Sequence, residues 1–288
     1  MIFIYRAFNK QIYPINKNFY YERKIKMSEF QAVSDFDYNV QFFDCDYLGR
    51  MKMSAILRIC AEVAGYDYTK KGLSHEFLLE KRMAFLTSRV SVHINSYPVS
   101  KQTLNVSTWE CGKKGAIFLR GIYFKDKSTG NILVEALSGW ILVDPETRQI
   151  YRPGQFMFEM PQVMDRALKA LPITKINAAD PTYKGSWTAK NTDIDENGHV
   201  YNAVYADIAS DILNADEFGR RVTDMRINYV SEVRNGETID LYRADRDDSI
   251  IVVGKTGDKI SFEFELIDNE QYITDIIPKV NNAPVVKE

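Results

Sequence analysis

The chain is poor in cysteine and histidine, and this limits the kinds of site that it can build. Its 288 residues include three cysteines, Cys45, Cys60 and Cys111, and three histidines. A sparse, odd cysteine set argues against a disulfide framework and suits a reducing compartment. No two cysteines have the spacing of metal ligands. We therefore expect neither a metal site nor a cofactor.

The sequence also has no large excess of positive or negative charge and no long apolar run. The net charge is −2, with 26% charged residues, and no basic stripe of the kind that binds nucleic acid is present. No stretch of about 18 apolar residues could form a membrane span. These absences predict a cytoplasmic protein that binds no nucleic acid.

The N-terminal segment differs from the rest of the chain. Residues 1–26 contain six Lys or Arg, one acidic residue and no serine, and their apolar run, Ile2–Tyr5, is short. A signal peptide needs a longer apolar core and a transit peptide is rich in serine. We expect residues 1–30 to form a disordered extension, with Met27 as a candidate natural start.

A succession of strand, helix and four strands is predicted twice along the chain. Apolar residues at spacings of three and four predict a helix, and alternating ones predict strands. The predicted strands are 38–43, 86–94, 103–109, 117–124 and 132–143, then 187–192, 222–230, 238–243, 250–254 and 260–267. The predicted helices are 56–64, 74–79 and 201–213. Residues 152–183 hold four of the nine prolines and are predicted to be a linker.

The two halves are similar in sequence as well as in element order. Asp44–Met51 aligns with Asp193–Val200 at an offset of 149 residues, and Thr103–Val106 aligns with Thr238–Leu241 at an offset of 135. A repeat of this size predicts two similar folded units. An antiparallel sheet that covers a long helix would satisfy the pattern of each unit.

Comparison of the two copies separates turn-forming residues from candidate site residues. Asp195 recurs in the first copy as Asp46, which favours a role in shaping the turn, although a site role stays open. Asn197 and His199 do not recur, since their counterparts are Leu48 and Arg50. A polar amide and an imidazole two residues apart, in one copy alone, indicate a site. The alternative is an exposed turn.

Glu232 is also specific to the second copy, where its counterpart is Tyr97. Alternation places Glu232 near the end of a predicted strand, on the face opposite Tyr229. The pattern alone favours an exposed surface carboxylate beside Arg234.

Two segments of the second half resemble the acyl-acyl carrier protein (acyl-ACP) thioesterase family, in its bacterial form. Asp193–Asn202 resembles the family run Asp-Leu-Asp-Val-Asn-Gln-His-Val-Asn-Asn, and Tyr229–Glu232 resembles its Tyr-Arg-Arg-Glu segment. The resemblance implies that the catalytic residues are Asp195, Asn197, His199 and Glu232. Val233 stands where plant members carry a cysteine, which excludes a thiolate mechanism at that position.

The resemblance extends over about residues 36–268. It includes Met83–Arg89 and Trp140–Asp144, followed by Glu146-Thr147-Arg148. It implies an α+β fold, a tandem double hotdog in which a curved antiparallel sheet wraps a long helix twice. The N-terminal hotdog domain, residues 31–151, would hold the acyl chain, and the C-terminal one, residues 184–288, would catalyse.

The implied reaction is hydrolysis of a fatty acyl thioester, with release of the free acid. The implied partner is acyl carrier protein with a phosphopantetheine-linked acyl chain. Backbone N–H groups at the start of the helix predicted from Tyr201 could stabilise the oxyanion. An acyl-CoA thioesterase on the same fold and a non-catalytic acyl-binding or regulatory protein remain as alternatives. A homodimer also stays open.

Overall fold

The structure of the protein is a computed structural model, which describes residues 30–219 and 222–267. The extension predicted for residues 1–30 lies outside these ranges except for Phe30. The elements follow the predicted order in both halves. They are β1 (Val33–Asn39), α1 (Met53–Lys70), α2 (His75–Glu80), β2 (Ala84–Ile94), β3 (Thr103–Lys114), β4 (Ile117–Asp126), β5 (Ile132–Val143), β6 (Thr182–Thr188), α3 (Val204–Ser210), α4 (Ala215–Gly219), β7 (Asp224–Tyr229), β8 (Thr238–Asp245), β9 (Ser249–Thr256) and β10 (Lys259–Ile267).

All ten strands belong to one antiparallel sheet. Their order is β1-β3-β4-β5-β2-β7-β10-β9-β8-β6, so each half contributes five neighbouring strands in mirrored order. The halves join where β2 pairs with β7, with Arg89 opposite Asn228 and His93 opposite Asp224. The similarity of the two halves is therefore a structural pseudo-symmetry about this junction.

α1 is helical because its apolar residues recur on one face, and that face is buried. Ile56, Ile59 and Cys60 are 0–1% exposed and belong to a core cluster that continues into the second half. The helix ends before Gly72, which has a φ of +78°, a backbone conformation that glycine adopts readily. α1 and α3 contact each other, so the helices of the two halves share one core.

The first strand of each half was predicted several residues too late. β1 ends at Asn39 and β6 ends at Thr188, and a 3-10 turn follows each strand. The turns form because a carboxylate accepts a backbone N–H three residues earlier. Asp44 accepts from Gln41 at 2.8 Å, and Asp193 accepts from Lys190 at 2.8 Å. The same error arose twice because the same turn occurs twice.

The second-half helix is shorter than the predicted range 201–213. α3 has seven residues, whereas α1 has 18. A second helix, α4, starts at once because Asn214 caps it. The Asn214 side chain accepts from the Glu217 N–H, and the Glu217 carboxylate accepts from the Asn214 N–H, both at 2.9 Å.

The linker follows the surface of the sheet. Between β5 and β6 the chain has no helix or strand apart from a 3-10 turn at Pro153–Gln155. Met164 donates its N–H to the carbonyl of Glu110, and Lys169 donates its N–H to the Glu135 carboxylate, both at 2.8 Å. β6 starts at Thr182, inside the predicted linker. Within the described ranges, no helix is both long and apolar enough to cross a membrane.

Candidate active site

Two loops meet at equivalent places in the two halves. The N–H of Val200 donates to the carbonyl of Val233 at 2.8 Å, and the N–H of Met51 donates to the carbonyl of Pro98 at 2.9 Å. Val200 corresponds to Met51 at the repeat offset of 149 residues, and Val233 corresponds to Pro98 at the offset of 135. Each bond brings side by side the residues that immediately precede its two partners.

In the second half, those neighbours are His199 and Glu232. The Nε2 atom of His199 lies 3.0 Å from Oε2 of Glu232, and their side chains are 16% and 40% exposed. Glu232 lies in the loop after β7, which ends at Tyr229, and not on a strand as predicted. The pair can therefore be reached from solvent.

The Asp195 carboxylate holds the His199 loop in shape. Its Oδ1 atom accepts the N–H of Asn197 at 2.8 Å and that of His199 at 3.5 Å. Asp46 does the same in the first half, where it accepts the N–H groups of Leu48 and Arg50 at 2.9 and 3.0 Å. Asp195 thus has the turn-forming function that its recurrence in the sequence favoured.

Asn197 lies in the same loop as His199, but its side chain lies beside Asp195, whereas that of His199 pairs with Glu232. Its side chain is exposed, and Nδ2 lies 3.5 Å from Oδ2 of Asp195. Gly198 separates the two residues with a φ of +82°, which turns the loop sharply. The amide group therefore stays available to a ligand.

The expected oxyanion donors at the start of a helix from Tyr201 are not in place. α3 begins at Val204. The N–H of Tyr201 donates to the carbonyl of Asp193 at 2.9 Å, and the N–H of Val200 is taken by Val233. Because the loop uses these two N–H groups to connect to its surroundings, neither is free to stabilise an oxyanion.

A buried tyrosine supports the loop that carries Glu232. Tyr205 of α3 is 3% exposed, and its ring packs 6.0 Å from that of Tyr229. Burial raises the pKa of the Tyr205 phenol, while a hydrogen bond with the backbone of Val233 opposes the increase. Burial also raises the pKa of Tyr201, to about 12. Neutral phenols therefore line the inner side of the site.

Glu232 has a second partner, which the sequence did not predict. Arg148, in the turn after β5 of the first half, donates from NH2 to Oε2 of Glu232 at 2.7 Å. In the sequence, Arg148 belongs to a segment that resembles the family, and that resemblance implies no role for it. The two residues are 84 positions apart, so no local pattern could pair them.

The equivalent position of the first half carries different chemistry. Arg50 takes the place of His199, and its guanidinium lies 5.1 Å from the ring centre of Tyr97, the counterpart of Glu232. Arg50 also pairs with Asp46 at 3.0 Å and lies 5.4 Å from the ring of Phe218. The pair formed by His199 and Glu232 is thus specific to the second half, as the comparison of the two copies predicted.

A groove of about 380 Å³ lies between α1 and the first half of the sheet. It reaches the loop that carries Asn197 and His199, because Glu196 is one of its lining residues. Its apolar lining includes Ala61, Ala64, Leu73, Leu78, Phe85, Phe118 and Trp140. Glu110 and Arg120, which are 2–3% exposed, also line it.

Comparison with known protein families covers most of the chain. The model of the acyl-ACP thioesterase N-terminal domain matches residues 31–154, and that of the acyl-ACP thioesterase C-terminal domain matches residues 177–282. The chain belongs to the acyl-ACP thioesterase family. Family membership confirms the resemblance seen in the sequence.

Curated plant relatives are similar over part of their length. A palmitoyl-acyl carrier protein thioesterase of Cuphea hookeriana is 29% identical over 154 residues, which are 50% of this chain and 36% of that protein. An oleoyl-acyl carrier protein thioesterase of Arabidopsis thaliana is 22% identical over 220 residues, 69% of this chain and 58% of that protein. The chain thus spans about a third to three fifths of these relatives.

Solved structures establish the fold of the family member described here. An acyl-ACP thioesterase from Bacteroides thetaiotaomicron has a TM-score of 0.71 at 20% identity, covering 84% of this chain and 99% of that one. A 12:0-ACP thioesterase from Umbellularia californica has a TM-score of 0.68 at 17% identity, covering 83% and 97%. The predicted tandem double hotdog fold is confirmed, although the second helix is short. The catalytic assignment remains a prediction.

Proposed function

We propose that the protein hydrolyses the thioester of fatty acyl-ACP and releases the free fatty acid, which ends elongation of the chain. The observation that supports this most is the pair of His199 and Glu232, 3.0 Å apart and open to solvent, in a member of the acyl-ACP thioesterase family. An apolar groove lies beside the same loop. A carboxylate and an imidazole can activate water for attack on an acyl thioester, and an apolar groove can hold the acyl chain.

Glu232 acts as the general base in this proposal. It accepts a proton from water while the water oxygen bonds to the thioester carbonyl carbon. His199 orients the carboxylate by donating from Nε2, which assigns the ring proton to that nitrogen. Asp195 is less suited to be the base, because its oxygens accept hydrogen bonds from the loop that it shapes.

Asn197 stabilises the developing oxyanion in this proposal. Its exposed side-chain amide can donate to the carbonyl oxygen of the substrate, a function that we had expected from helix-terminal N–H groups. The C–S bond then breaks with its electron pair going to sulfur. A thiol has a pKa of roughly 8.5, so the thiolate leaves readily and afterwards takes up the proton held by Glu232. The products are a carboxylic acid and a thiol.

We place the acyl chain in the groove beside α1 and the phosphopantetheine arm of acyl carrier protein at its mouth, near Glu196. The apolar lining matches a hydrocarbon chain. This division gives residues 31–151 the binding of the acyl chain and residues 184–288 the chemistry, as the resemblance implies. Neither half would then hydrolyse the substrate without the other.

The test is thiol release from acyl-ACP and acyl-CoA substrates, measured side by side for wild type and variants. His199→Ala, Asn197→Ala and Glu232→Gln should each lower kcat about a hundredfold to a thousandfold, the usual cost of losing one preorganised group. His93→Gln, at the β2–β7 junction, serves as a control with normal turnover. Faster release from CoA substrates would indicate the acyl-CoA enzyme, and no thiol release by the wild type would indicate a non-catalytic acyl-binding protein. Normal rates in all three site variants would place the chemistry at other residues.

A further inference from the structure

One carboxylate oxygen of Glu232 has two side-chain partners, Arg148 and His199. Arg148 donates to Oε2 at 2.7 Å, and Nε2 of His199 lies 3.0 Å from the same atom. The carboxylate is thus held from two sides, once by each half of the chain. Oε1 remains as the oxygen that we assign to the attacking water.

The turn that carries Arg148 is built to fix its direction. Oδ1 of Asp144 accepts the N–H groups of Glu146 and Thr147, both at 2.9 Å. The N–H of Arg148 donates to the carbonyl of Asp144 at 2.9 Å, and the φ of Arg148 is +61°. Residues other than glycine rarely adopt this backbone conformation, so the surrounding turn has to impose it.

Further contacts hold Asp144 in this turn. The Tyr151 hydroxyl donates to Oδ2 of Asp144 at 3.1 Å, and the guanidinium of Arg82 lies 3.1 Å from the same oxygen. Hydrogen bonds from the backbone, Thr147 first, lower the pKa of Asp144 against the effect of burial. The carboxylate therefore stays ionised and the turn stays closed at neutral pH.

We propose that Arg148 is a positioning residue of the reaction, which fixes the orientation of Glu232 from the other half of the chain. The proposal rests on the proposed function, because it assumes that Glu232 is the base. A carboxylate bound by His199 alone can rotate about its side-chain torsions, and Arg148 restricts that rotation. Fixed geometry of this kind raises the rate of the chemical step rather than the affinity for substrate.

A simple surface ion pair is the competing explanation. Arg148 and Glu232 are 47% and 40% exposed, and pairs with such exposure contribute little to stability. The two explanations differ in their consequences for the rate. An ion pair without function leaves kcat unchanged, whereas a positioning residue lowers it with no change in stability.

The experiment compares Arg148→Met, Arg148→Lys and Arg148→Ala with wild type in the full chain, using acyl-ACP turnover and thermal unfolding. We expect Arg148→Met to lower kcat about tenfold to a hundredfold at unchanged KM and Tm, by analogy with the loss of a partner that orients a metal ligand. Arg148→Lys should recover part of the rate. Arg152→Met removes an exposed arginine from the same segment and should be neutral.

Chemical rescue distinguishes the loss of the guanidinium group from other causes of reduced activity. Millimolar guanidinium should restore part of the activity of Arg148→Ala, while sodium chloride at equal ionic strength should not. In a Glu232→Gln background, Arg148→Met should have no further effect. If Arg148→Met has a normal kcat while Glu232→Gln is inactive, the role of Arg148 is overturned and the role of Glu232 as base is kept. Normal kcat in Glu232→Gln would overturn the proposed base itself.

Discussion

Asp67 is completely buried in α1, and its carboxylate lies in a group of four charged side chains. It accepts hydrogen bonds from Lys71 and Arg120, both at 2.8 Å, and from Ser34 at 2.5 Å. Arg120 also pairs with Glu110. The two acidic and two basic groups compensate each other away from water, so the loss of one leaves unpaired charge.

At the residue scale, we predict that Asp67→Asn lowers the free energy of unfolding by about 3–5 kcal/mol, since Lys71 and Arg120 would stay buried without a counter-charge. Urea unfolding measures the difference. Asp37→Asn is the control, because Asp37 pairs with Lys127 at the surface, where both are more than half exposed, and should change it by about 1 kcal/mol or less. Equal effects of the two substitutions would contradict the prediction.

The same residue predicts a dependence of stability on pH. Burial opposes ionisation of Asp67, but the charge of Arg120 and hydrogen bonds from Lys71 and Ser34 outweigh it, so its pKa lies below the ordinary value. The stabilisation is therefore complete above the pKa of the unfolded chain, roughly 3.9, and is lost as the pH falls through the lower folded value. Asp67→Asn should reduce the slope of stability against pH in that acidic window.

At the element scale, α1 forms one wall of the groove that we assign to the acyl chain. Gly65 lies in this wall, and a Cβ atom built on it meets no other atom within 4 Å. Its φ is not positive, so a larger residue fits the helix backbone there. A side chain at this position would occupy space in the groove and not in the core.

We predict that Gly65→Phe shifts hydrolysis toward shorter acyl chains, because the ring shortens the space left for the substrate. The measurement is the ratio of kcat/KM values across a series of acyl-ACP substrates of increasing length. Gly154→Phe adds the same ring to the linker, also where no atom lies within 4 Å, and should leave the ratios unchanged. An unaltered length preference in Gly65→Phe would place the acyl chain elsewhere.

At the scale of the whole molecule, the two halves share one sheet and one core cluster. β2 and β7 pair at the centre of the sheet, and Val92 and Met225, opposite each other there, are both fully buried. The core cluster includes residues of both halves. Separate unfolding would expose this shared apolar surface, which costs free energy.

We therefore predict a single unfolding transition for both halves. Trp187 reports on the second half, and Trp109 and Trp140 report on the first. The variants are Trp187→Phe, which keeps the two first-half tryptophans, and Trp109→Phe/Trp140→Phe, which keeps the second-half one. Each is unfolded in urea and followed by both tryptophan fluorescence and far-UV circular dichroism, which reports on the whole chain. Within each variant, the two probes should give the same midpoint. Two separated midpoints within one variant would show that the halves unfold independently.

Much of the fold could be predicted because its helices and strands follow a periodic pattern of apolar residues. β5 has the predicted bounds, and α1 contains the predicted helix, because periodic apolar residues are a local signal. The ends of β1 and β6 were misplaced because Asp44 and Asp193 close turns through their side chains. The limits of α3 depend on a helix cap at Asn214, which apolar periodicity does not reveal.

The sequence by itself determined the order of elements, the duplication and the distinction of Asn197 and His199 from their counterparts, because these depend on residue types at fixed spacing. Only the tertiary structure decided that Glu232 lies against His199 and that Arg148 reaches Glu232. These contacts join residues far apart in sequence through the packing of the sheet. The contact between Arg148 and Glu232 also joins the two halves, which meet where β2 pairs with β7, and no local pattern encodes it.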